Sequence, residues 1–450
     1  MVAPRLDGAS ITAKKLGRWL VSASSVTQTG LRIAVVGAGI SGLASAWMLA
    51  RDHAVTLFEA GNYLGGHSNT VDVSLDGHLC PVDTGFLVFN ERTYPNLVGM
   101  FEALGVRSHA SDMSFAVSLD EGRLEWAGTN LSTVFAQRRN AFSPTFLGML
   151  RDIARFNSAA QRHLAFAERS GCSVGDLLTA GRYGQPFRHH YLLPMASAIW
   201  SCATTDVLRF PAATFLRFCL NHALLQVRNR PQWRTVAGGA REYVRRIAAH
   251  LDDIRLGVAV RAVRRDETGV TVMTDEGSAR FDAIVLASHA PDTLRMLADA
   301  TPEERAVLGS VRYAPNVAIL HTDATLLPRR SRVWSAWNYL GRRHDDAERA
   351  VCVSYLLNQL QPLPFRSPVV VTLNAYRDPA PGTELRRFHY EHPLFDLAAI
   401  AAQRQLPALQ GKRRTWYAGA WTGYGFHEDG LKSALRVARD FGALPTWSKL

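Results

Sequence analysis

The chain has 450 residues, 47% of them hydrophobic and 20% charged, which excludes a mostly disordered chain, a collagen-like repeat and a disulfide-stapled miniprotein. A net charge of +12 points to an anionic partner, yet lysine occurs only at Lys14, Lys15, Lys412, Lys432 and Lys449 and the other basic residues are arginine. Such a skew follows G+C-rich codons as readily as a binding face, and no nucleic acid is expected. The five cysteines form no C-x-x-C pair, so neither a disulfide framework nor a zinc or other metal site is expected, and a reducing cytoplasm is the natural setting.

Residues 1–30 read as a flexible basic N-terminal extension, with Asp7 the sole acid and Lys14–Val21 able to form a short basic amphipathic turn. Ile33 to Ala50 is 18 residues without a charge, but its glycines make it a strand, a turn and a helix rather than a membrane span. Leu31–Val36 is a β-branched run suited to a buried parallel strand, Gly37-Ala-Gly39-Ile40-Ser41-Gly42 follows, and a helix is predicted over Leu43–Arg51. In G-x-G-x-x-G, Gly37 permits the tight turn, Gly39 lets backbone approach a pyrophosphate, and Gly42 lets helix pack on strand. The helix N-terminus then offers free N–H groups to the phosphates. A second strand, Ala54–Phe58, ends at Glu59, 20 residues beyond Gly39, where a carboxylate accepts ribose hydroxyls. Gly65, Gly66 and His67 close this first run.

Ser143-Pro-Thr opens a helical pattern, with serine as N-cap, that runs to Gly171. Phe146, Leu147, Met149, Leu150, Ile153, Phe156 and Leu164 recur at helical spacing. Arg138, Arg139, Arg151, Arg155 and Arg162 flank or punctuate them, and Asp152 is the sole acid before Glu168. This is either a basic helix for an anionic membrane or an internal packing helix with a solvated edge. Strands are then predicted at Ile254–Val260, Gly269–Met273 and Phe281–Ala287. Near the end, a strand from Arg414 closes at Gly419, a glycine-rich loop follows, and a helix is predicted to start near Gly430.

The run Glu59 to Gly66 resembles the E-x(5)-G-G segment of FAD enzymes of the amine oxidase and phytoene desaturase superfamily, with His67 where a basic residue usually follows the glycines. Leu193-Pro-Met-Ala-Ser-Ala-Ile-Trp200-Ser-Cys202 and Trp421-Thr-Gly-Tyr-Gly-Phe-His427-Glu-Asp-Gly430 are similar to one subgroup. This is the bacterial FAD/NAD(P)-binding, amine oxidase-like oxidoreductases, akin to the N-terminal flavin half of plant cyclopropane fatty acid synthases. The likeness runs from about residue 31 to 443. It implies an α/β fold: a Rossmann-type FAD-binding domain of the glutathione reductase/amine oxidase type with an inserted α+β substrate domain. Residues 31–110, 231–300 and 405–450 form the FAD part; residues 111–230 and 301–404 form the substrate part. It also implies FAD, held by Gly37, Gly39, Ile40, Ser41, Gly42, Glu59, Gly65, Gly66, His67, Val260, Gly419, Gly430 and Leu431.

Flavin amine oxidases of this fold usually keep a lysine on a strand matching Tyr313–Asp323, and this chain has none between Lys15 and Lys412. Three residues before Gly430 stands His427, read either as a proton acceptor with a pKa near neutrality or as a hydrogen-bonding group of the cofactor loop. Trp200, Trp337, Asn338 and Tyr424 are the candidate substrate contacts. The expected activity is flavin-dependent dehydrogenation of an apolar substrate, a fatty acyl chain of membrane lipid, with a flavin amine oxidase and a non-catalytic partner of a lipid methyltransferase as alternatives. The expected location is the cytoplasm, with peripheral contact with an anionic membrane. A fatty-acid methyltransferase is the expected protein partner.

Overall fold

A computed structural model describes residues 29–226, 230–341 and 351–450; the expected basic extension and its amphipathic turn fall almost entirely outside them. The run Arg32–Val36 forms the middle of a five-stranded sheet, ordered Asp253–Leu256, Ala54–Glu59, Arg32–Val36, Ala283–Leu286, Thr415–Tyr417. Every neighbouring pair in it is parallel. Parallel strands covered on both faces need continuous apolar runs. Ile33, Ala34 and Val35 are fully buried, as are Ile284 and Val285 opposite them. Helices Ile40–Leu49 and His427–Asp440 pack together on one face. The other carries a three-stranded antiparallel sheet of Val260–Arg265, Val270–Thr274 and Gly277–Phe281. This is the Rossmann-type α/β arrangement, built from three stretches far apart in sequence.

Residues between those stretches form a seven-stranded sheet, ordered Glu384–Pro393, Tyr313–His321, Val370–Leu373, Cys352–Leu356, Trp337–Gly341, Phe115–Leu119, Leu124–Ala127. It is antiparallel except where Trp337–Gly341 runs parallel to Phe115–Leu119. Helices between Pro144 and Asn221 form a separate apolar core around Phe156, Phe187 and Phe215. No helix among the described residues is long and apolar enough to cross a membrane.

Several sequence expectations change, among them the strand Phe281–Ala287, which splits at Asp282 between the antiparallel strand Gly277–Phe281 and the parallel strand Ala283–Leu286. The helix expected from Ser143 to Gly171 is two, Pro144–Ser158 and Ala160–Ser170, because the chain turns at Ala159 (φ −95°, ψ 1°). The turn lets the second helix lie against Ala212–Asn221, and small buried side chains at Ala159 and Ala160 leave room for it. The strand expected over Ile254–Val260 breaks at Gly257 (φ +76°), sending Asp253–Leu256 to the parallel sheet and Val260–Arg265 to the antiparallel one. The last helix begins at His427 rather than near Gly430. The Asp429 carboxylate accepts the Phe426 N–H at 3.1 Å and closes the first turn ahead of the glycine.

Candidate active site

At the end of Arg32–Val36 the backbone turns sharply at Gly37, where φ is +99° and a Cβ would meet the Ala287 carbonyl oxygen at 2.9 Å. Gly42 is tighter: its Cβ would stand 1.7 Å from the Gly37 carbonyl oxygen. Gly39 instead faces open space, with nothing within 4 Å of its missing side chain. It is the N-cap of Ile40–Leu49 and no side chain caps that helix, so the first-turn N–H groups remain available to an anion. Glu59 is clamped beside them. Its Oε2 accepts the Ala38 N–H and its Oε1 the Gly61 N–H, each at 2.7 Å. The Gly65 N–H donates to the Ala38 carbonyl at 2.8 Å, drawing the glycine pair onto the turn.

Gly37, Ala38, Gly39, Glu59 and Gly65 line one end of a cavity of about 760 Å³ that continues into the seven-stranded sheet and the helices, within the usual range of ligand and cofactor sites. His67 Nε2, His392 Nδ1, Trp337 Nε1 and Trp421 Nε1 belong to residues on its wall and are buried without a hydrogen-bond partner. Buried polar atoms left unpaired cost about 1–3 kcal/mol each, so the wall is shaped for a ligand that carries polar groups. An open Gly39, an uncapped helix N-terminus, a fixed carboxylate and these unpaired atoms together fit FAD. Gly37–Ser41 and Gly65–His67 would hold its pyrophosphate, Glu59 its ribose, and Val260 would pass its adenine. From the far end of the chain, Gly419 and His427 reach the same cavity.

Gly42, Gly430 and Leu431, expected at the cofactor, are not on the cavity wall; they set how tightly its elements pack. A Cβ on Gly430 would lie 2.7 Å from Ile40 Cγ2, the Gly430 carbonyl accepts the Ser41 hydroxyl at 3.0 Å, and Leu431 is fully buried. Trp200, Trp337 and Tyr424 line the cavity. Asn338 does not: it lies inside the sheet, where its side-chain amide donates to the Ser335 and Ser354 carbonyls and its oxygen accepts the Ser335 N–H. On a strand, the residue after Trp337 faces the opposite way.

His427 is corrected in its chemistry. Burial pushes its pKa down to about 3, far from neutrality. Its Nε2 shares hydrogen bonds with the Ser68 hydroxyl (2.8 Å) and the Tyr243 hydroxyl (3.2 Å), while its ring stacks on Phe86. A neutral, doubly anchored imidazole is a poor proton acceptor. Burial also holds His67 well below its ordinary pKa, with His392 beside it adding to the effect. His67 stacks on Tyr390 at 4.8 Å. The Glu384–Pro393 strand thus brings Tyr390 and His392 to the site, and the sequence reading did not find them. The alternation in His389-Tyr390-Glu391-His392 was the available signal.

Asp83 braces this region from behind. Its carboxylate accepts the Ala240 N–H (2.9 Å), the Gln361 side-chain amide (3.1 Å) and the Thr70 hydroxyl. Burial nevertheless raises its pKa to about 7. The folded chain therefore holds a proton there that the unfolded chain releases at about pH 4. Stability is fully present below that lower pH and falls as pH rises towards 7. Melting curves recorded between pH 5 and pH 8 should show this decline, and Asp83→Asn should flatten it.

A profile of flavin containing amine oxidoreductases matches residues 40–441. The carotenoid phi-ring synthase of Streptomyces griseus is 29% identical over 326 residues, covering 67% of this chain and 59% of that protein. A putative flavin-containing monoamine oxidase, AofH, of Mycobacterium tuberculosis is 28% identical over 272 residues, 57% of this chain and 56% of its own. The chain thus spans less than two thirds of the length of these curated relatives. In fold it is similar to the CLA-producing fatty acid isomerase from P. acnes, at 15% identity and a TM-score of 0.63 over 91% of this chain and 98% of that one. A nucleotide turn, a clamped glutamate and a returning C-terminal helix around one cavity agree with a family match over nearly the whole chain: it belongs to the flavin-containing amine oxidoreductases.

Proposed function

We propose that the chain dehydrogenates an uncharged, apolar substrate, a fatty acyl chain of membrane lipid. The distribution of charge along the cavity carries this reading. Its acids and arginines, Glu59, Arg261, Asp292, Arg295 and Glu391, gather near the nucleotide turn. Glu391 belongs there because its carboxylate accepts His289 Nδ1 at 3.2 Å, and His289 lies just past the central parallel strands. The other end is walled by Ile199, Trp200, Phe218, Trp337, Tyr355 and Leu373. His222 is also there, and burial lowers its pKa to about 4, so it is neutral. An ammonium group entering this end would lose water and find no carboxylate on the wall there. A hydrocarbon loses nothing by entering.

Bound FAD supplies the hydride acceptor. The chain's own task is to exclude water and hold a C–H bond in line, and bulky aromatic walls do both. The strand Tyr313–His321, which lies where related amine oxidases keep a lysine, has none. The test is anaerobic incubation of the yellow holoprotein. Phospholipids with unsaturated or branched acyl chains should bleach the flavin, and primary amines should not. Bleaching by amines alone would favour an amine oxidase.

A further inference from the structure

We propose that the segment Arg138–Arg151 is a docking surface for an anionic lipid bilayer. The surface stands on geometry independent of the substrate. Phe142 closes the short helix Arg138–Phe142 and is 87% exposed, more than any other large apolar side chain among the described residues. Leu147, one turn into Pro144–Ser158, is 44% exposed. Pro144, Leu147, Arg151, Ala154 and Ser158 form its outer stripe, while Phe146, Met149 and Phe156 point inward and are buried.

The charges on this surface have one sign. Arg138, Arg139 and Arg151 are exposed, with 80% of the Arg151 side chain in solvent. The segment holds no acid; Asp152, the next residue, is turned inward, where its Oδ2 accepts the Gly184 N–H at 2.9 Å and its Oδ1 lies 3.3 Å from Arg155 and 3.9 Å from Arg151. Two protruding apolar side chains set among arginines, with the neighbouring carboxylate withdrawn, match the interface of an acidic membrane: rings and methyls enter the acyl boundary and guanidiniums meet the phosphates. A second copy of the chain is a poor occupant, because a two-fold contact through this face would set arginines against arginines. The inner face of the same helix packs into the apolar cluster that contains Tyr355, a wall of the cavity. Docking here therefore brings the bilayer to the layer of structure that encloses the apolar end of the site.

The experiment is co-sedimentation of the full chain with vesicles of phosphatidylcholine alone and of phosphatidylcholine with phosphatidylglycerol. Binding is expected only to the anionic vesicles and should weaken as salt rises. The variant Arg138→Gln/Arg139→Gln/Arg151→Gln should lower the partition coefficient by about 100-fold, and Phe142→Ser/Leu147→Ser by about tenfold or more. Both should keep the flavin absorbance and melting temperature of the parent, since none of these side chains is in the core. No binding to anionic vesicles would overturn the proposal. So would equal binding by the variants, which would move the contact elsewhere in the chain, or loss of a dimer on substitution. Vesicle binding requires no turnover, so its outcome is separate from that of the bleaching assay.

Discussion

Gly42→Ala is expected to yield protein without the yellow of bound flavin. The added methyl would stand 1.7 Å from the Gly37 carbonyl oxygen and 2.9 Å from its carbon. Both are backbone atoms of the nucleotide turn, so no rotamer change relieves the clash. The turn must open, carrying Gly39 and the first N–H groups of Ile40–Leu49 out of line. The cost should exceed the roughly 1–3 kcal/mol typical of overpacked cores. Gly39→Ala is the companion. Nothing in the protein lies within 4 Å of its new methyl, so the chain should fold and melt as the parent apoprotein does. The methyl would instead fill the space that the pyrophosphate needs, and FAD should no longer raise the melting temperature. If Gly39→Ala still gains stability from FAD, the cradle assignment is wrong.

Glu304→Gln should destabilise the fold by about 3–5 kcal/mol, the usual cost of breaking a buried ion pair from one side. The Arg265 side chain is fully buried. Its Nη1 and Nη2 donate to the two Glu304 oxygens at 2.5 and 2.8 Å, and its Nε donates to Asp299 at 2.9 Å. Glu304 also accepts the Tyr417 hydroxyl at 2.6 Å and the Thr301 N–H at 2.8 Å. One carboxylate thus joins the antiparallel sheet, the helix Pro302–Gly309 and the outermost parallel strand. Burial pushes its pKa up, but the hydrogen bonds from Arg265 and Tyr417 outweigh that and leave it below the ordinary range. Its contribution is present above the unfolded carboxyl's pKa and is lost as pH falls through the lower folded value. Urea unfolding at neutral pH and in acid should show a large gap between parent and variant that narrows in acid. The double variant Arg265→Met/Glu304→Leu should recover part of the loss, because it leaves no charge unpaired.

The nucleotide turn was legible in the sequence because each glycine there answers a local steric demand, and Glu59 because the spacing from turn to second strand end is short and regular. The break at Ala159 was not, since small residues keep the helical period running while tertiary packing decides where the axis turns. Gly257 carried its signal in plain view; only the pairing of its flanks in two sheets made it a boundary. The start of the last helix was hidden because its capping group, Asp429, comes two residues after the first helical residue. His392 and Tyr390 reach the cavity through a sheet whose register no local pattern sets. The pKa of His427 depended on burial from Phe86, Ser68 and Tyr243, which are distant in sequence. Asn338 had the polarity of a binding residue and the strand parity of a core one.

The hydroxyl of Ser41 and the carbonyl of Gly430 are 389 positions apart and hydrogen-bonded. That single contact has a consequence for synthesis. A ribosome that has made the glycine turn, the clamped glutamate and the whole seven-stranded sheet has still not made a flavin protein. The outer parallel strand Thr415–Tyr417 and the helix His427–Asp440 come after all of these, and only they close the nucleotide sheet and bring Gly419 and His427 to the cavity. Until then the parallel strands have an open edge and the apolar cavity an open side, the state in which nascent chains are most prone to aggregate. A chain truncated before Thr415 should therefore be colourless however well the rest of it folds.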